Sequence, residues 1–166
     1  MGWFRRRSLK RASPAPAPRF AERDALTDAI QNVLDDGVID VGEEFSGARG
    51  GTYNGFCFRA CEAYWRLVRD PDHATMARDP NVKLRYYPQP KPGEGGKQRG
   101  RTQSHYWLVN SSNEIIDLTL GPGEQSDFKH FLGPDVGGRG IANPSKDATK
   151  IIEAVKAAHP RRLLDE

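Results

Sequence analysis

Hydrophobic positions recur at helical spacing in three stretches of the chain and alternate with polar ones in three others. Leu26, Ala29, Ile30, Val33 and Leu34 predict a helix over about 22–36, which Gly37 terminates. A second helix is expected to follow the glycine-rich stretch 47–55. Asn54 is its expected N-cap, Cys57, Cys61, Tyr64 and Val68 share a face with Phe58 and Trp65 beside them, and Asp70-Pro71 ends it after Arg69. Val82 to Tyr87 alternates apolar with basic or aromatic residues and reads as a strand. Ser104 to Asn110 and Glu114 to Thr119 form a hairpin joined through Ser111, Ser112 and Asn113. Gly121 to Asn143 lacks a clear period, and Ser145 caps a closing helix with Ala148, Ile151, Ile152 and Val155 on one face, ended by Pro160.

These elements predict an α+β fold: N-terminal helices packed on a small antiparallel sheet, and a closing C-terminal helix. With 166 residues, 37% of them hydrophobic, the chain has material for one core and one domain, expected over 21–160. No apolar run approaches the roughly 18 residues needed to span a bilayer, and Met1 to Phe20 lacks the apolar middle of a secretory signal. The expected setting is therefore cytoplasmic, with no membrane partner. Two cysteines, Cys57 and Cys61, supply no disulfide framework, which fits a reducing compartment and leaves a thiol free to act.

Charge is distributed unevenly. Arg5, Arg6, Arg7, Lys10, Arg11 and Arg19 precede the first acid, Glu22, and removing those six charges from the net +3 leaves −3 for the remainder. Residues 1–20, with the run Ser13-Pro14-Ala15-Pro16-Ala17-Pro18, read as a disordered basic tail, and residues 161–166 as a C-terminal tail. The Pro, Gly, Lys and Gln-rich segment 88–102 reads as a long basic loop.

Candidate chemistry enters at the start of the second helix. A thiol is a nucleophile as thiolate, and a helix N-terminus presents backbone N–H groups that favour the anion. Cys57 is placed to feel that field, whereas Cys61, one turn further in, suits packing. Strand alternation puts His105, Trp107 and Val109 on one face and Tyr106 and Leu108 on the other. A three-residue hairpin loop pairs residues of equal parity, so Asp117 is expected directly across from His105 or one step diagonal to it. In that arrangement Asp117 fixes the imidazole tautomer, His105 takes the thiol proton, and the Cys57 N–H, with Asn54 or a loop glycine in support, faces the oxyanion. Trp107 and Tyr106 are the candidates to line a substrate groove, with core packing as their other reading.

Each of these residues alone has a commonplace role: a packed thiol, a satisfied strand histidine, an aspartate closing a turn. Their joint order and parity favour a catalytic Cys57–His105–Asp117 trio that requires no cofactor and no metal. A zinc site from Cys57, Cys61 and His105 with His73 or His130 is the metal alternative, but a Cys-x-x-x-Cys pair on one helix departs from the usual ligand spacings.

Gly55-Phe56-Cys57 opening a helix, His105-Tyr106-Trp107 and Ile116-Asp117-Leu118-Thr119 together resemble the core of the transglutaminase-like and papain-like cysteine enzyme superfamily. More narrowly, Asn54-Gly55-Phe56-Cys57 with Glu62-Ala63, the His-x-Trp strand, Ile-Asp-x-Thr and Pro144-Ser145-Lys146 is similar to a group of short, mostly uncharacterised phage and bacterial proteins over about residues 52–156. The chain departs from that group by Cys61 where a small residue is usual, by Tyr106 inside the His-x-Trp element and by the extended basic loop before His105. The resemblance implies a papain/transglutaminase-like core and a thiol enzyme, nominates Cys57, His105 and Asp117, and places a phage-encoded protein in the host cytoplasm.

Two functional expectations follow. One is acyl transfer or amide-bond hydrolysis on a peptide or amide substrate, with peptidase, amidase, deamidase and transglutaminase chemistry all open. The other is a non-catalytic phage or host-interaction protein that binds nucleic acid or a protein through the tail and the loop bearing Lys91, Lys97, Arg99 and Arg101.

Overall fold

The computed structural model describes residues 19–40, 53, 55–87, 105–124 and 143–160. Expectations for Asn54, His130, the tail before Arg19, the 88–104 segment, 125–142 and 161–166 lie outside the described residues. The element order is β1 (Arg19–Phe20), α1 (Ala25–Asp35), α2 (Cys57–Leu67), β2 (Lys83–Tyr87), β3 (His105–Val109), β4 (Glu114–Ile116) and α3 (Lys146–Ala158). A short 3-10 turn at Ala74–Met76 links α2 to β2. The architecture is α+β, with three helices packed on a four-stranded sheet of order β1-β4-β3-β2.

The sheet is mixed, which corrects the antiparallel expectation: β2, β3 and β4 run antiparallel, but β1 pairs parallel with β4 through Arg19↔Glu114 and Phe20↔Ile115. The cause is the tail. Its last two residues, read from composition as disordered, add a strand to the sheet edge.

Local sequence explains where the helices begin and end. Asp24 caps α1 by accepting from the backbone N–H and the hydroxyl of Thr27, both at 2.8 Å. At the other end Gly37 takes φ +71°, with Gly37 N–H bonded to Leu34 C=O and Val38 N–H to Val33 C=O, a Schellman closure that a residue with a Cβ would strain. Ser145 caps α3 by accepting from the Ala148 N–H, as its position predicts. The N-cap of α2 is Phe56, not Asn54, and it makes no side-chain capping bond. The expected start two residues earlier gives way to a turn closed by Phe56 N–H on Tyr53 C=O.

Hydrophobic patterning places the core where it was expected. Leu26, Ile30, Ala60, Tyr64, Leu67, Leu84, Leu108, Leu118, Ile151 and Val155 are buried together between the helices and one sheet face. Trp107, Val109 and Ile115 form a second cluster, in keeping with the alternation along β3. The hairpin turns through Ser111–Asn113, where Asn113 adopts φ +61° and the Asn110 side chain accepts from the N–H groups of Ser112 and Glu114. No described helix is long and apolar enough to cross a membrane.

Candidate active site

The first turn of α2 lies against the first residues of β3. The Phe58 ring meets the Tyr106 ring at 4.8 Å between centroids, and the Cys61 Sγ–H donates to the Tyr106 carbonyl at 3.5 Å. This packing sets Cys57, the first residue of α2, beside His105, the first residue of β3.

His105 is 2% exposed, and its Nε2 lies 2.9 Å from Oδ2 of Asp117. Cys57 lies close enough to the same ring to act on its pKa. Because Asp117 accepts, Nε2 carries the proton and donates, which leaves Nδ1 as the ring nitrogen for the thiol. Burial pulls the imidazole pKa down, but the hydrogen bonds to Asp117 and then Cys57, with their charges, outweigh it and raise the value from 6.5 to about 9. A ring held in this way has the tautomer and the basicity to accept a proton from sulfur.

Cys57 is half-buried, whereas the other thiol of the helix is not exposed at all. The first helical bond of α2 runs from Ala60 N–H to Phe56 C=O at 2.9 Å, so the N–H groups of Cys57, Phe58 and Arg59 precede the ladder, and the first turn carries no acid to compete for them. Cys61 is fully buried. Desolvation first, then the charges of Asp117 and Cys57, hold its thiol well above the ordinary cysteine range. Its place is in the core, under the sheet.

Asp117 lies one residue beyond β4 rather than within it, a small correction to the expected strand. Continuing the Leu108↔Ile116 register sets it opposite Trp107 and therefore diagonal to His105, the second of the two pairings that parity allowed. Its side chain is fully enclosed. Oδ2 faces the imidazole, while Oδ1 accepts from the Thr119 N–H at 3.0 Å and from the Thr119 hydroxyl at 2.6 Å. Flanking carbonyls are pinned as well: buried Gln31 donates to Leu118 C=O at 3.0 Å and Leu120 C=O at 2.8 Å, and the Tyr53 N–H donates to Thr119 C=O.

The aromatic expectations divide. Trp107 is 1% exposed and stacks on His105 with centroids 5.8 Å apart, so it backs the imidazole instead of lining an open groove. Tyr106 is half-buried on the helix side of the sheet, against Phe58. Asn54, expected to support an oxyanion, is outside the described residues.

For a metal, the donors do not converge: among the described residues no group of three or more His, Cys, Asp or Glu side chains could hold an ion. His73 lies elsewhere, with Nε2 at 3.2 Å from the His159 carbonyl and Nδ1 facing Asp70 at 3.6 Å without a hydrogen bond.

The sequence does not single out Gln31 or Asp24, and Thr119 enters it only as the last residue of the Ile-Asp-x-Thr motif, with no role of its own. The available signal was weak: Thr119 stands two residues after an acid, the spacing at which a carboxylate closes a turn on a following N–H. Comparison with known protein families, with curated proteins and with solved structures returns no match for this chain. The functional reading therefore stands on the site's own geometry.

Proposed function

We propose that this protein is a thiol enzyme with a papain/transglutaminase-like core, acting through a Cys57–His105–Asp117 triad on the carbonyl carbon of a peptide or amide. The observation that carries the reading is the buried imidazole, bonded at 2.9 Å to a fully enclosed carboxylate and raised in pKa by that carboxylate and by a half-buried thiol at a helix start. Sulfur attacks as the thiolate, its proton already resident on the His105 ring, and the carbonyl oxygen gains negative charge beside the N–H groups opening α2. His105 then protonates the leaving amine as the tetrahedral adduct collapses to a thioester on Cys57. Water or an amine, deprotonated by the same imidazole, attacks the thioester, releases the acyl group and restores the thiol.

Acyl transfer to water or to an amine follows from the same geometry, so peptidase, amidase, deamidase and transglutaminase chemistries share this mechanism. A role confined to binding draws on the basic tail, of which only Arg19 and Phe20 are among the described residues, and on the 91–101 loop, which lies outside them.

The test is a thiol-directed electrophile and an activated acyl ester, each followed by peptide mapping. We expect both to modify Cys57, with Cys57→Ala abolishing the adduct and Cys61→Ala largely preserving it. Labelling that is equal in the two variants, or unaffected by His105→Ala, removes the assignment.

A further inference from the structure

The orientation of the Asp117 carboxylate has to be imposed from outside, because the terminal torsion of an aspartate is broad and roughly two-fold. Thr119 contributes two bonds to it: Oδ1 receives both the N–H of Thr119, at 3.0 Å, and its hydroxyl, at 2.6 Å. That leaves Oδ2 with its lone pairs directed at His105 Nε2. Thr119 is fully buried, so no solvent molecule substitutes readily for the hydroxyl. Its own carbonyl accepts from the N–H of Tyr53, four residues before the thiol. A single residue thus grips the acid by its side chain and the approach to the nucleophile by its backbone.

From this geometry we infer that Thr119 is a positioning residue for the Cys57–His105 pair, acting through Asp117. The inference rests on the thiol–imidazole reading above and adds a fourth residue to it. Among the groups brought to the acid, His105 from β3 bonds it, and the buried Cys61 thiol from α2 lies near enough for the carboxylate charge to push it up. Each donor on a carboxylate favours its ionised form, and the ionised form is what supports a protonated imidazole. Removal of the hydroxyl alone leaves the N–H bond in place but frees the carboxylate to turn and weakens its hold on the ring.

The test compares Thr119→Val, which keeps the shape and removes the donor, with Thr119→Ser, which keeps the donor. Two readouts are followed in the full chain: the titration of His105 by NMR, and the rate of iodoacetamide alkylation at Cys57, mapped by mass spectrometry across pH 5–9. A charge-assisted bond to a buried carboxylate predicts that Thr119→Val slows alkylation at pH 7 by about tenfold and moves the imidazole midpoint down by about one pH unit. Thr119→Ser should stay within about twofold of the wild type, the margin of a lost methyl contact. If Thr119→Val does not fold, Thr119→Ala takes its place in the same comparison, and unfolding of both assigns the residue to the fold alone and overturns the inference. A Thr119→Val protein with an unaltered His105 midpoint, or a Thr119→Ser protein as impaired as Thr119→Val, also overturns it. Failure of the underlying reading looks different: Cys57 in the wild type would then alkylate at the same rate with and without His105.

Discussion

Replacing Asp117 by Asn is the sharpest perturbation of this site, because it keeps volume and shape while removing the charge that His105 faces. In the wild type the imidazole pKa lies at about 9 against an ordinary 6.5, burial being outweighed by the bonds to Asp117 and Cys57. That gap corresponds to about 3 kcal/mol in favour of the charged ring. Since the folded value is the raised one, this stabilisation is fully present below pH 6.5 and is lost as pH rises through about 9. Wild-type unfolding free energy should therefore decline across that window, as read by urea denaturation at a series of pH values. In Asp117→Asn the desolvation penalty is no longer offset by a carboxylate, so the imidazole midpoint should fall by about two pH units and the slope should flatten or reverse. An amide also inverts the bond: its NH2 donates to Nε2, forcing the ring proton onto Nδ1, the nitrogen that has to accept from the thiol. Alkylation of Cys57 should then slow by a factor of roughly ten to a thousand at pH 7. The reasoning is refuted by a wild-type imidazole that titrates near 6.5, or by one whose midpoint is the same in the variant.

Two buried carboxylates, Asp24 and Glu62, probe the scaffold. Asp24 caps α1, accepts from the Tyr64 hydroxyl at 2.6 Å and from the Arg78 N–H at 3.2 Å, so Asp24→Ala should destabilise by about 3 kcal/mol, against about 1 for Tyr64→Phe. Urea midpoints check both, and equal losses in the two variants contradict the account. Glu62, 1% exposed, accepts from Arg66 and from the backbone and hydroxyl of Ser145, so Glu62→Ala should cost about 3 kcal/mol and fray the start of α3. Hydrogen exchange should show the first turn of α3 opening, and unchanged protection at Ala148 and Thr149 runs against it.

Periodicity made much of this fold legible. The spacing of Leu26, Ile30, Val33 and Leu34 marks α1, that of Ala148, Ile151 and Val155 marks α3, and turn chemistry at Ser111–Asn113 fixes the hairpin register that brings Asp117 diagonal to His105. What stayed hidden is what periodicity does not encode. Arg19–Phe20 adds a parallel strand because a free sheet edge accepts almost any extended backbone, and two residues are too few for a pattern. The start of α2 is set by a backbone turn from Tyr53 to Phe56, so the polar side chain expected to cap it gave a false cue. Trp107 was assigned to one of two roles by chemistry alone. Its burial depends on Val109 and Ile115 beside it, which are spread over two strands.

The candidate site divides along the same line. Thiol, imidazole and carboxylate are reactive residue types, so their order along the chain can be weighed before any coordinates exist. The residues that hold them in place are ordinary ones whose role appears only in three dimensions. Gln31 is a polar residue on an otherwise apolar face of α1, and it looks like a defect in the pattern until its amide is seen bridging the carbonyls on either side of Thr119. Those two bonds fix the backbone of 118–120 to the first helix, Thr119 fixes Asp117, and Asp117 fixes His105. Every link in this chain of bonds involves a buried polar group, for which a missing partner costs more than a weak one. The precision of the site is therefore inherited from α1 and the turn after β4, elements that carry none of its proposed chemistry, and substitutions there should alter the imidazole before they unfold the protein.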